Sequence, residues 1–141
     1  MNKTIKVAIK ALTEILNDSK RIEYLLDLLD IAENDDEKRF IQSKIDSILL
    51  RNIDIDEIVD FYDIRRELDL CAQATIKKPT KKDIEETLKY NLEIERDIPI
   101  SDYVYDVLID ELKEILKELI FEYPEDYIII EEDDYFRIEL N

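Results

Sequence analysis

Apolar residues recur every three to four positions through the first half of the chain, which is the spacing of amphipathic helices. The pattern predicts a first helix over residues 3–17, with Ile5 and Leu12 on its apolar face. It predicts a second helix that is capped by Asp18 or Ser19. Because the connections are short, we expect neighbouring helices to pack antiparallel.

Two further helices are predicted from capping boxes, in which an N-cap residue is followed three positions later by Glu. Asn34 with Glu37 opens the third helix. Asp54 with Glu57 opens the fourth, which we expect to end near Gln73. Both signals precede apolar residues at helical spacing, so each one predicts a helix start rather than an isolated turn.

A basic segment interrupts this pattern. Residues 77–82 read Lys-Lys-Pro-Thr-Lys-Lys, and Pro79 cannot continue a helix. We therefore expect residues 1–76 to form a bundle-like lobe of about four helices. Residues 77–82 would be a solvated basic linker, and residues 83–141 an acidic second part that either stands alone or continues the same domain.

The second part is predicted to begin with a pair of helices. Thr80 with Asp83 caps a fifth helix that extends to about Glu95. Ser101 caps a long sixth helix that ends near Phe121, shortly before a proline.

The end of the chain changes from helical to strand-like patterning. Residues 127–130 and 135–138 are β-rich runs, and the acidic residues 131–134 separate them. This arrangement predicts a β-hairpin, which must pack on the helices because two strands alone are only marginally stable. The predicted fold class is mainly α, with an N-terminal helical lobe, a helix pair and a C-terminal β-hairpin.

The charge of the protein is large and uneven. Of 141 residues, 37 are Asp or Glu and 20 are Lys or Arg, which gives a net charge of −17. Residues 101–141 contain 3 Lys/Arg and 14 Asp/Glu, a net charge of −11. Such a field repels nucleic acids and anionic membranes and attracts basic proteins. We therefore expect a protein partner, with no direct contact to nucleic acid or membrane.

The composition also argues against catalysis. The chain has no His, the commonest general base and metal ligand. It has no Gly, which phosphate-binding loops and nucleophile elbows require. We expect no enzymatic activity, no cofactor and no metal site. The single cysteine, Cys71, is predicted to be a buried thiol. Because one cysteine cannot form an internal disulfide and the sequence shows no leader-like segment, we expect a cytoplasmic protein.

The predicted sixth helix carries acidic residues at every fourth position. On a helix they would form one row, each about 6 Å further along the axis and turned away from the apolar residues. Like charges at this spacing destabilise a helix by roughly 0.2–0.5 kcal/mol per pair, which suggests selection for another purpose. An ordinary solvated helix face is the alternative. The row consists of Asp102, Asp106, Asp110, Glu114, Glu118 and Glu122.

The spacing of the row is about twice the 3.4 Å rise between phosphates of one DNA strand. The row could therefore contact Lys and Arg side chains that normally hold DNA. We predict that these six acids and Tyr103 bind a basic, nucleic-acid-binding surface of a partner protein, as phage or plasmid inhibitors of restriction or CRISPR enzymes do. A homo-oligomeric assembly protein is the first alternative.

The same helix carries a recognisable motif. Residues 100–112 read I-S-D-Y-V-Y-D-V-L-I-D-E-L; they follow the turn Asp97-Ile98-Pro99 and precede Tyr123-Pro124-Glu125. Residues 86–126 thereby resemble the helical Ia region that begins NAD-dependent DNA ligases. That region has the pattern I-S-D-x-x-Y-D-x-L-x-x-E-L after a D-x-P turn.

The resemblance implies a helix pair and contacts to the nicotinamide half of NAD from Asp102, Tyr105 and Asp106. The chain departs from the family at residues 92–94, where Leu-Glu-Ile replaces a Tyr-His or Tyr-Tyr pair. It also contains no nucleotidyltransferase domain with its catalytic lysine, so we expect no ligation. A binder of nicotinamide nucleotides is the second alternative function.

Overall fold

The computed structural model describes residues 17–141, so the predicted first helix lies outside the described residues except for Asn17. The described chain is mainly α-helical with a small antiparallel sheet near the C-terminus, which confirms the predicted fold class. The helices are α1 (Asp18–Ile31), α2 (Asp35–Asn52), α3 (Phe61–Cys71), α4 (Lys81–Leu92) and α5 (Asp102–Phe121), and the strands are β1 (Gln73–Lys77), β2 (Tyr127–Glu131) and β3 (Tyr135–Leu140).

Contacts group the chain into two compact units, and each unit combines two separate stretches of sequence. The described part of the first unit consists of residues 17–53 and 84–104, and the second unit consists of residues 54–83 and 105–141. The segment predicted as a linker falls inside the second unit, where Lys77 ends β1 and Lys81 begins α4.

Helix α1 is capped differently from the prediction. The side chain of Asn17 accepts a hydrogen bond from the backbone N–H of Lys20 at 2.9 Å, so Asn17 is the N-cap rather than Asp18 or Ser19. The carboxylate of Asp18 instead accepts hydrogen bonds from Arg51 and Asn52, each at 2.9 Å. These bonds lower the pKa of Asp18, with the Asn52 hydrogen bond as the largest cause.

The capping box of α2 forms as predicted. Asn34 Oδ1 accepts from the N–H of Glu37 at 3.0 Å, and Glu37 Oε2 accepts from the N–H of Glu33 at 2.9 Å. Glu37 is only 2% exposed, because its carboxylate turns back to the helix start instead of reaching into water. The bond to Asn34 satisfies a backbone donor of the first helical turn, and the bond to Glu33 fixes the residue that precedes the N-cap.

The buried carboxylate of Asp46, on α2, supports the start of α5. Asp46 is 7% exposed and accepts hydrogen bonds from Gln42 Nε2 and Ser101 Oγ, each at 2.9 Å. Ser101 Oγ in turn accepts from the N–H of Val104 at 3.2 Å, so Ser101 caps α5 as predicted.

Helix α4 is shorter than predicted. Thr80 and Asp83 form the expected reciprocal cap, at 2.9 and 3.1 Å. The helix ends at Leu92 rather than near Glu95, because Glu93 has a left-handed backbone with φ of 55°. Without glycine in the sequence, a non-glycine residue has to adopt the conformation that ends many helices.

The second unit begins with a correction to the predicted fourth helix. Asp54 caps only a 3₁₀ turn, Ile55–Glu57, by accepting from the N–H of Asp56 at 3.0 Å. Helix α3 starts later, where Asp60 accepts from the N–H of Asp63 at 3.1 Å.

The end of α3 differs from the prediction as well. The helix stops at Cys71 because Ala72 takes a left-handed φ of 55°. Cys71 is exposed rather than buried, since it lies where the chain turns out of the helix toward β1.

The predicted hairpin is part of a three-stranded sheet with the order β1-β3-β2. Strand β1 was predicted as the end of a helix and the start of a linker, but it pairs antiparallel with β3, with Ile76 opposite Phe136. Strands β2 and β3 form the predicted hairpin, with Ile129 opposite Ile138. Ala74, Ile76, Phe136 and Ile138 bury one face of this sheet.

No helix within residues 17–141 is both long enough and apolar enough to cross a membrane.

Candidate protein-binding surface on helix α5

Helix α5 has two sharply different sides. One side is a buried apolar ridge, whose residues are almost inaccessible to water. The other side carries the predicted acids, and all six of them are exposed, as expected. Glu122 lies one residue beyond the helix end, so five of the acids are helical. The ridge consists of Val104, Leu108, Leu112, Leu116 and Leu119.

The exposure of the whole row follows from a match between the two patterns. A step of four residues along an α-helix turns by about 40°, so a row at this spacing winds slowly around the axis. The apolar ridge from Val104 to Leu116 has the same four-residue spacing and is displaced by two positions, or about 200°. The ridge and the row therefore wind together, and each acid up to Glu114 stays opposite a buried residue.

The winding also limits how many acids one flat surface can contact. From Asp102 to Glu118, the helical part of the row turns through about 160°, so its two ends lie on opposite flanks of the helix. Asp106, Asp110 and Glu114 span only about 80° and share the centre of the solvent-facing side. These three acids, termed the central trio below, are the part of the row that a single partner surface can engage at once.

Few cations neutralise the row. Glu122 pairs with Arg65 of α3 at 2.6 Å, and Glu114 pairs with Lys117 at 3.1 Å in an exposed contact one turn along the helix. Within residues 17–141, Asp106 and Glu118 have no Lys or Arg at ion-pair distance. Exposed pairs such as Glu114–Lys117 stabilise a protein by only about 0–1 kcal/mol.

Lys113 is on the helix but is directed to a different acid. Its ammonium group binds Glu131, at the end of β2, and this hydrogen bond raises the pKa of Lys113. Glu131 also accepts from Lys78 at 2.9 Å, and the bonds to Lys113 and Lys78 lower its pKa. Both lysines therefore form ion pairs with Glu131 that stabilise the fold. Lys113 attracts Asp110 but does little to neutralise the other two acids of the central trio.

The basic segment does not form a single basic surface. Lys78 is only 11% exposed; its ammonium lies 5.0 Å from the ring centroid of Phe136 as well as beside Glu131. Lys77, Lys81 and Lys82 remain exposed. Lys78 therefore makes a structural contact, and the exposed lysines on either side of it are solvated.

Aromatic residues flank the acids on α5. Tyr103, which was predicted to take part in binding, is 62% exposed in the first turn of the helix. Phe121 was not predicted as a site residue, yet it is 90% exposed and lies about two turns beyond Glu114 on the same face. The signal was present in the sequence, because Phe121 falls on the polar side of the helical pattern.

The loop after α5 is held in place near Phe121. Tyr123 donates a hydrogen bond from its hydroxyl to the backbone oxygen of Arg65 at 3.3 Å, and burial raises its pKa, with Asp69 contributing. The ring of Tyr123 meets that of Tyr127 edge-to-face, with centroids 5.6 Å apart. An open groove of about 380 Å³ lies between the end of α5 and the start of β2.

The residues implied by the ligase resemblance lie on one part of α5. Asp102 and Asp106 are exposed and Tyr105 is half-buried. No protein-family model matches the chain, and no significant match was found among curated proteins or solved structures. Within residues 17–141 there is also no group of three or more side chains that could hold a metal ion.

Proposed function

We propose that the protein is a non-enzymatic binding factor that masks a basic, nucleic-acid-binding surface of a partner protein. The contact is centred on Asp106, Asp110 and Glu114. The margins of this contact are formed by Asp102, Tyr103, Glu118 and Glu122. A cytoplasmic setting, and a role like that of anti-restriction or anti-CRISPR proteins, belong to the same proposal.

The observation that carries the proposal is the shared winding of the apolar ridge and the acidic row. It keeps the acids from Asp102 to Glu114 exposed along α5, although like charges four residues apart destabilise the helix. Lys113, which is on the same helix, binds Glu131 instead of an acid of the row. A surface selected only for solubility has no need of acids at this repeated spacing, since acids and bases mixed on a helix face serve solubility while stabilising the helix.

Charge complementarity of this kind acts mainly on the rate and specificity of association. The interaction is therefore expected to weaken steeply as salt screens the exposed charges. The central trio would contact Lys or Arg side chains of the partner. Because such side chains also bind phosphates, we propose a partner that normally binds nucleic acid.

The test is affinity capture from a lysate of the cells that carry the gene, with elution in steps from about 0.05 to about 0.5 M salt. The central trio is replaced by Lys in one bait. The matched bait carries three Glu→Lys changes at exposed positions of the first unit, Glu23, Glu86 and Glu95.

We expect a basic protein to elute from the wild type and the matched bait at the same salt step and to be absent from the trio bait. Equal retention on all three baits would contradict the proposal. Sedimentation and calorimetry with NAD examine the other two functions: a stable oligomer that hides the trio, or heat from NAD binding, would favour them instead.

A further inference from the structure

A second surface lies at the open edge of the sheet. Strand β2 is at one edge of the described sheet, and β3 is its pairing strand. At the opposite edge, β1 packs against α3. Ile128, Ile129 and Ile130 of β2 are each only partly buried, so this edge is apolar on both faces of the sheet.

The hydrogen-bond register shows which backbone groups of β2 face outward. Glu132 donates to the oxygen of Tyr135, and Asn141 donates to the oxygen of Asp126, each at 2.9 Å. In an antiparallel ladder such bonded positions alternate, so the N–H and C=O groups of Ile128 and Ile130 face β3. The N–H and C=O groups of Tyr127, Ile129 and Glu131 therefore point away from β3, toward the open edge.

Among the strands of residues 17–141, none pairs with this edge of β2. It contains no proline and no lysine, and its middle three residues are all isoleucine. Natural proteins protect exposed edge strands unless another chain is meant to pair with them. The apolar surface continues at the start of β2 into the groove beside Phe121, Tyr123 and Tyr127.

The charges around the strand specify the occupant. Glu125 and Asp126 precede β2, Asp133 and Asp134 follow it, and all four are exposed. A second copy pairing antiparallel about Ile129 would place Asp126 opposite Glu132, and like charges directly opposite each other destabilise strand pairing. A segment with an apolar centre and basic ends complements both the edge and its flanks.

We propose that the free edge of β2 binds an extended segment of another protein, with an apolar centre between Lys or Arg residues, by adding it to the sheet as a fourth strand. The backbone groups of Tyr127, Ile129 and Glu131 form the new ladder. The isoleucines and the groove select apolar side chains. This surface uses no residue of the central trio, so either proposal can fail without the other.

The probe is a short peptide with a Thr-Val-Ile-Val-Thr centre and two lysines at each end. The control peptide has the same charge, with prolines at alternate central positions, so that it cannot pair as a strand. Both are titrated into the full-length protein while amide hydrogen exchange is followed by NMR. We expect the first peptide to slow exchange of the Tyr127, Ile129 and Glu131 amides by about tenfold or more, with little change at Ile128 and Ile130.

Ile129→Pro provides the matched variant. It removes an outward N–H and leaves the β2–β3 ladder intact, so the fold should be kept while peptide affinity falls about tenfold. Ile129→Lys, which opposes a basic peptide, gives the same loss if the proline variant fails to fold.

Equal binding of both peptides without protection of the outward amides would overturn the proposal in favour of simple charge attraction. If raising the protein concentration without peptide slowed exchange of the same amides, and sedimentation showed a dimer, the occupant of the edge would be a second copy of the chain and the proposal would be wrong. Neither result would affect the proposed function of the central trio, which the charge-reversal baits test in a separate experiment.

Discussion

The acids of the first unit and those on the outer side of α5 are used in different ways. In the first unit, Asp27 and Asp30 together hold Arg96, at 2.6 and 3.1 Å, and Asp46 receives two hydrogen bonds in a buried position. On α5, by contrast, Asp106 and Glu118 have no ion pair to any described Lys or Arg. These carboxylates of the first unit are thus matched to donors, whereas Asp106 and Glu118 on α5 remain available to a partner.

The two sides of α5 give the largest expected contrast in stability. Leu112→Ala removes a fully buried side chain and should lower the free energy of unfolding by about 2–5 kcal/mol. Asp110→Ala, two positions away on the exposed side, should change it by less than about 0.5 kcal/mol. Urea unfolding of both variants makes the comparison, and similar losses would mean that the row is part of the packed structure.

The buried acid of the first unit gives the next largest effect. Asp46→Ala removes the acceptor of the Ser101 hydroxyl and one of the two acceptors of Gln42 Nε2, so unfolding should become easier by about 1–3 kcal/mol. Asp46→Asn keeps an acceptor oxygen and is the matched control, with a smaller loss. Thermal unfolding measures both, and an unchanged midpoint for Asp46→Ala would show that this carboxylate does not support the α5 cap.

Neutralising one acid of the row should stabilise the protein. Glu118→Gln removes repulsion toward Glu114 and Glu122 and a charge near the helix C-terminus, so we expect a gain of about 0.4–1 kcal/mol at low salt. Glu86→Gln on α4 is the control, because Glu86 lies four residues from Lys82 and loses an attraction instead. A loss of stability in Glu118→Gln, measured by urea unfolding, would show that the row is not strained.

The smallest expected effect concerns pH. Hydrogen bonds from Lys113 and Lys78 hold the pKa of Glu131 below its ordinary value of 4.5. A lowered folded-state pKa stabilises the protein above the unfolded pKa, and this contribution is lost as the pH falls through the folded pKa. Glu131→Gln should therefore show a shallower loss of stability than the wild type between about pH 5 and about pH 3. Parallel curves would mean that Glu131 is not stabilised by its lysines.

Local signals made much of the fold predictable. The caps at Asn34, Thr80 and Ser101 were identified because each depends on residues within three or four positions. The row on α5 was identified for the same reason, as its exposure follows from helical spacing alone. The start of α3 was misplaced because Asp54 and Asp60 both resemble caps and the sequence does not rank them.

Features that depend on distant residues were missed. Strand β1 alternates exposed and buried residues over only five positions, and its partner β3 lies about sixty residues further along the chain. The turn before it uses Ala72 in a left-handed conformation, so the glycine that normally indicates a helix end is absent. The ion pair between Lys113 and Glu131 likewise depends on the sheet, because Glu131 lies at the end of β2. This pair leaves Lys113 less able to neutralise the acids of the row.

The most direct test of the proposed masking is competition between the protein and DNA for the captured partner. With the partner immobilised at low salt, duplex DNA should displace the wild-type protein, and the protein should displace DNA in return. The central-trio variant with three lysines should fail to displace DNA, while the matched variant of the first unit should behave as the wild type. Simultaneous binding of the protein and DNA, unaffected by either variant, would contradict the account.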